Sequence, residues 1–88
     1  MFERDPAVQA FVLRRADGVC ELCGERTFLM RSTRQRYYLE VHHLVPLSEG
    51  GPDTVDNAAG LCPTCHARCH HGVDAEAVTA RIRERTGL

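Results

Sequence analysis

The chain has 88 residues, 43% hydrophobic and 26% charged, with a formal net charge of −1. That length holds one domain, which buries a smaller share of its surface than a larger domain would and so needs a staple. The near-neutral charge excludes a strongly basic body that coats nucleic acid, and no apolar run approaches the roughly 20 residues of a membrane span.

No N-terminal stretch resembles a signal peptide, so a reduced, cytoplasmic setting is expected, with the five cysteines serving as thiols and metal ligands rather than disulfides. All formal positive charge is arginine, which favours planar, bidentate contacts to phosphate. Asp5 followed by Pro6 predicts a helix start, with Asp5 as N-cap and Pro6 in the first helical position. Val8, Phe11 and Val12 then share one face, Arg14 and Arg15 suit the dipole of the last turn, and Gly18 is the expected stop. The two arginines read either as phosphate contacts or as a solvated helix end.

Directly after that stop, Cys20-Glu21-Leu22-Cys23-Gly24 forms a knuckle in which both sulfurs can point at one ion. A redox dithiol would call for a βαβ setting, which is not evident around this stretch. The matching pair Cys62 and Cys65 predicts a tetrahedral four-cysteine zinc site with no open position, hence a structural one. The interval between the knuckles is long for a simple finger, so something is built there.

That interval opens with Glu25 to Tyr38, which carries Arg26, Arg31, Arg34 and Arg36 against one acid. Residues 27–30 and 36–41 read as hairpin arms around a polar turn. Arg31, Arg34 and Arg36 are candidate contacts to a DNA backbone, the alternative being a solvated loop with its tyrosines packed on the core. Leu39 to Leu47 is the most strand-like run, with Leu39, Val41, His43 and Val45 on one face and Glu40, His42 and Leu44 on the other. Adjacent histidines in a strand point to opposite faces, so His42 and His43 are expected to have different jobs. Pro46 ends the pairing, and Ser48 to Pro52 form a turn-rich loop. A polar stretch to Asn57 leads into a short returning strand, Ala58 to Leu61.

Pro63 sits where a helix can begin and run to His71, which stacks His66 above His70, the spacing at which two imidazoles grip one metal. Cys69 reads as a small packed residue and His71 as solvated. Gly72 breaks the chain and Asp74 caps a last helix with Val78 and Ile82 inward and Arg81, Arg83 and Arg85 along the remainder. No internal repeat, low-complexity tract or linker divides the chain.

The string YLEVHHLVPLSEGGPDTVDNAAGLCPTCHARCH, together with the two knuckles, resembles the HNH nucleases of the cysteine-containing branch, and within it the nuclease domains of modified-DNA-dependent restriction enzymes. The resemblance covers residues 19–71. It implies a small α+β fold: a ββα-metal (His-Me finger) core with a four-cysteine zinc site, flanked by N- and C-terminal helices, in a single domain spanning 1–88. Carried over by position, His43 matches the general base, and His42 the first metal ligand, a place often held by aspartate. Asn57 matches the middle residue that steers the base, and His66 the second metal-binding histidine. His70 matches a position that supplies a third ligand in some members.

These residue types suit phosphodiester hydrolysis, which needs a base to activate water and a metal to neutralise developing charge. A carbonyl oxygen of Asn57 accepting from the His43 Nδ1–H would leave Nε2 as the base. Imidazole ligands favour Zn²⁺, Ni²⁺, Co²⁺ or Mn²⁺, with Mg²⁺ bound less readily through nitrogen. The implied function is a metal-dependent DNA endonuclease whose specificity domain or partner chain lies elsewhere. Double-strand cleavage would call for a second active site, as in a homodimer. The alternative is a non-catalytic, zinc-stabilised nucleic-acid-binding module, and His43 with Asn57 discriminate against it, since such a module needs no free imidazole beside a ligand cluster.

Overall fold

In the computed structural model of the chain, which describes residues 4–87, β1 (Glu40–His43) pairs antiparallel with β2 (Ala58–Leu61). Glu40 lies opposite Leu61 and His43 opposite Ala58. Three helices surround this ribbon: α1 (Pro6–Ala16), α2 (Pro63–His71) and α3 (Ala75–Thr86). The result is the expected small α+β arrangement, with the ββα unit made by β1, β2 and α2. Because successive side chains of a strand face opposite ways, Val41 packs with Val12 and Ala58 under α1, while the His42 ring meets His66 and His70 of α2. One short strand therefore sends Val41 toward α1 and His42 toward α2.

The strand is shorter than the expected run to Leu47, and the chain's own hydrogen bonds explain why. The Leu44 N–H donates to the Asn57 carbonyl, and both backbone groups of Val45 are taken by the Asn57 side chain. Pro46, lacking an N–H, cannot resume a ladder. The loop folds back so tightly that a Cβ on Gly51 would stand 1.9 Å from the Val45 carbonyl oxygen, which only glycine permits.

Helix α1 begins as expected, with Asp5 as N-cap accepting from the Ala7 N–H and Pro6 in the first turn. It ends at Ala16, one residue before the left-handed pair Asp17 (φ 51°) and Gly18 (φ 77°). Its inward stripe is Val12 and Ala16, with Val8 and Leu13 alongside, whereas Phe11, expected inside, is 49% exposed. The helix crosses β2 so closely that a Cβ on Gly60 would lie 3.1 Å from Ala16 Cβ. Small and β-branched side chains fit that seam, and the ring turns outward.

The expected arginine-rich hairpin forms a turn but not strands. A single bridge joins Leu29 and Tyr37, supported by Met30 N–H to Arg36 O and Tyr38 N–H to Phe28 O. Phe28 and Leu29 are about half exposed, so these arms lack a buried face that would extend the pairing. Stacking of Phe28 on Tyr38, 5.3 Å between ring centroids, holds the base of the turn. At the other end of the chain, Val78 and Ile82 of α3 are fully buried against the cysteine knuckles, as the sequence predicts. Asp74 holds the N-cap position of α3, but its carboxylate pairs with Arg68 instead of capping the backbone.

Candidate active site and metal centres

The first centre is made of thiols. Cys20 and Cys23 from the loop after α1 meet Cys62, which caps α2, and Cys65 in its first turn. All four sulfurs lie within 4.8 Å of one another, with Cys23 and Cys62 at 4.0 Å. A tetrahedral ion with bonds of about 2.3 Å spaces its sulfurs by about 3.8 Å, so the donor set fits a zinc-like cation and none of the four is in a disulfide. Burial and the neighbouring thiols push the Cys65 thiol up, whereas for Cys20 backbone N–H groups outweigh burial and pull it down to about 7. The sulfur geometry is thus arranged for a positive charge at its centre.

The second centre is made of imidazoles. His42 comes from β1, and His66 and His70 from successive turns of α2, with ring centroids 5.0 to 5.2 Å apart around the triangle. The Nε2 atoms of His66 and His70 are 3.3 Å apart. Two nitrogens bound tetrahedrally at about 2.05 Å would be separated by about 3.3 Å, so the pair is already at a chelating distance. Burial, followed by the like charges of His66 and His70, pushes His42 down to about 4, which keeps its lone pair available at neutral pH. His71 is exposed, and Cys69 is half-buried against the core, both as expected.

Behind the triangle stands a carboxylate to which sequence reasoning gave no role. Glu40 accepts from His66 Nδ1–H at 2.8 Å and from the Tyr38 hydroxyl at 2.7 Å. Because a carboxylate only accepts, His66 carries its proton on Nδ1 and presents a bare Nε2 to the centre. The Tyr38 hydrogen bond, then that of His66, holds the Glu40 carboxyl below its ordinary range. A signal for it existed: Tyr38, Glu40 and His42 stand at alternate positions along the run that leads into and through β1.

His43 occupies the opposite face, 6% exposed, and its surroundings differ from expectation. Its Nε2–H donates to Asp53 Oδ1 at 2.7 Å. The bond expected from Asn57 to the His43 ring is absent among the described residues. Asn57 instead donates to the carbonyls of Val45 and Pro52 and accepts from the Val45 N–H, lashing together the loop between the strands. With both ends of its amide used on backbone, Asn57 fixes the loop that positions Asp53 and does not touch the ring. The intervening loop hides this from any periodic reading of the sequence.

A cleft of about 320 Å³ joins the two faces and is lined by His42, His43, His66 and His70, with Pro46, Ser48 and Arg4 at its edge. Arg4 is the guanidinium that the cleft itself offers. Arg31, Arg34 and Arg36 are exposed on the hairpin turn and do not line it; Arg36 instead borders a second cavity with Arg14 and Arg26, beside α1. Arg15 is neither a phosphate contact nor a solvated helix end. It forks onto both oxygens of Glu21 and donates to the carbonyls of Val55 and Ala58, while Glu21 accepts from the Gly60 N–H. This tie binds α1, the first knuckle and β2 together.

Comparison with known proteins follows the same lines. The family profile described as HNH endonuclease matches residues 20–72. The chain is 44% identical over 77 residues to the type IV methyl-directed restriction enzyme EcoKMcrA of Escherichia coli, covering 86% of this chain and 27% of that protein. A shorter match, 52% identical over 31 residues, links 35% of the chain to 41% of anaredoxin from Nostoc. Among solved structures, that of the type IV phosphorothioation-dependent restriction endonuclease ScoMcrA superposes with a TM-score of 0.80 at 31% identity, over 94% of this chain and 17% of that one. The chain thus spans about a quarter of the length of the first of these relatives and less of the solved structure.

Proposed function

The chain belongs to the HNH endonuclease family, and from that membership we propose that residues 1–88 form a single nuclease domain that hydrolyses phosphodiester bonds of DNA. The observation that carries this reading is the convergence of His42, His66 and His70 in the same cleft as His43. In this reading the three imidazoles hold a divalent cation, of the Mn²⁺, Co²⁺, Ni²⁺ or Zn²⁺ type that nitrogen donors favour. When bound, that cation would neutralise charge on the phosphate and on the leaving 3′-oxygen. His43 takes the proton from the attacking water. Asn57 holds the loop that keeps His43 and Asp53 in register, and Arg4 offers a forked donor to a phosphate at the mouth of the cleft. The four cysteines hold a structural zinc that substitutes for the core an 88-residue chain cannot build.

The coverage of the relatives supports a further part of the proposal. Selection of a DNA sequence or modification is assigned to a separate module or partner, and cutting of both strands to two copies of this site. Among the described residues no helix is long and apolar enough to cross a membrane, and a cytoplasmic setting suits the free thiols.

Supercoiled plasmid incubated with the purified protein and a panel of divalent cations provides the test. The reading predicts metal-dependent conversion to nicked circles, abolished in His43→Ala. Binding of DNA without conversion under any cation would leave a zinc-stabilised binding module as the function.

A further inference from the structure

Asp53 reaches two donors at once. Its Oδ1 accepts from His43 Nε2–H at 2.7 Å, and its Oδ2 accepts from the backbone N–H of Asp5, the N-cap of α1, at 2.5 Å. The carboxylate is thereby clamped between the start of α1 and the buried face of β1. Neither oxygen is free to rotate away without leaving a donor unpaired. Among the described residues no group hydrogen-bonds His43 Nδ1, and no buried side-chain nitrogen lacks a partner, so that atom reaches solvent. The ring also lines the cleft that holds the three-imidazole cluster.

Resting on the nuclease reading above, the geometry points to Asp53 as the positioning residue of the reaction: it fixes the proton of His43 on Nε2 and makes Nδ1 the atom that accepts the proton from water. The opposite assignment, with Nε2 as base, is blocked because that nitrogen is already bonded to an acceptor-only group. In the hydrolytic step, water gives a proton to Nδ1 as its oxygen bonds to phosphorus. The bond from phosphorus to the 3′-oxygen breaks, and the leaving oxygen takes a proton from solvent. The resulting imidazolium keeps Nε2–H on the Asp53 carboxylate, which stabilises the charge that forms.

The isosteric change Asp53→Asn separates this role from simple loop packing. The amide has one acceptor atom where two donors must be met. If its oxygen stays on the Asp5 N–H, its NH₂ faces Nε2 and forces the imidazole proton onto Nδ1, which removes the base. The same change in a Ser-His-Asp triad costs about 10⁴-fold in turnover by this route while the geometry survives.

Long-range proton–nitrogen NMR on ¹⁵N-labelled protein carrying only zinc reports which nitrogen of an uncharged ring bears the hydrogen, with His43 assigned by its absence in His43→Ala. The expected result is Nε2–H in the wild type and a shift of the proton toward Nδ1 in D53N. Plasmid nicking by D53N should fall roughly 10²- to 10⁴-fold, while zinc content and second-site metal affinity stay at wild-type levels. A wild-type ring protonated on Nδ1, or a D53N protein with unchanged tautomer and nicking rate, would overturn the assignment. The wild-type spectrum needs neither D53N nor activity, so it decides the matter even if D53N is unstable or the chain does not cut DNA.

Discussion

At the residue scale the site is governed by which atom of each imidazole is left bare. Glu40 settles this for His66 by accepting from Nδ1–H, and Tyr38 holds Glu40 in place. Replacing Glu40 with Gln removes the obligate acceptor, and loss of such an outer partner typically costs 10- to 100-fold in metal affinity. Calorimetric titration of the second site should show that drop with the four-cysteine zinc retained. Asn57 makes a different kind of prediction, because its three hydrogen bonds are all to backbone and it is 6% exposed. Asn57→Ala leaves three loop groups without their partner and should lower stability by about 1 to 3 kcal/mol, read as a reduced denaturation midpoint. The opposed faces of His42 and His43 were legible in the sequence, since strand alternation separates neighbours. Asp53 was not legible as a partner of His43, because no period relates the two positions and only the Asn57-bound loop brings them together.

At the scale of elements, what proved legible was what repeats. Helices α1 and α2 were marked by Asp5 with Pro6 and by Pro63, and the four-residue spacing of His66 and His70 put both rings on one face. The Phe11 ring and the length of β1 were misjudged for the same reason, that tertiary contacts override local pattern. Val12 and Ala16 take the inward stripe of α1 and leave the phenylalanine outside it, and Asn57 ends the strand early. The hairpin turn retains its exposed arginines, none of which is in an ion pair among the described residues. If Arg31, Arg34 and Arg36 meet phosphates, neutralising all three should weaken DNA binding at every sequence alike. It should also flatten the slope of log affinity against log salt by roughly one unit per lost contact. An unchanged slope in the triple variant would mark the turn as a solvated loop.

For the whole molecule, stability is tied to proton and metal occupancy. His42 is held near 4 in the fold against an ordinary value of 6.5, so between these values the unfolded chain binds the extra proton and the folded one resists it. Stability therefore rises with pH across that window, is fully present above 6.5, and is lost as pH falls toward 4. With the imidazole centre free of added cation, this single group is worth on the order of 3 kcal/mol. Denaturant titrations across the window should show a shallower pH dependence in His42→Gln than in the wild type. The lowered carboxyls of Glu40, Asp53 and Asp74 act in the same direction at lower pH, because each is held by hydrogen bonds that protonation weakens.

In the proposed reaction adjacent histidines divide the labour, His42 holding the cation and His43 moving the proton. The nicking rate of plasmid DNA measured across a wide range of Mn²⁺ concentration for wild type, His42→Ala and His43→Ala tests it most directly. His42→Ala should need more metal but recover activity as the concentration rises, because His66 and His70 remain at chelating distance. His43→Ala should stay roughly 10²- to 10⁴-fold slow at every concentration. Recovery of His43→Ala by added metal, with His42→Ala beyond rescue, would contradict the assignment and reverse the two roles.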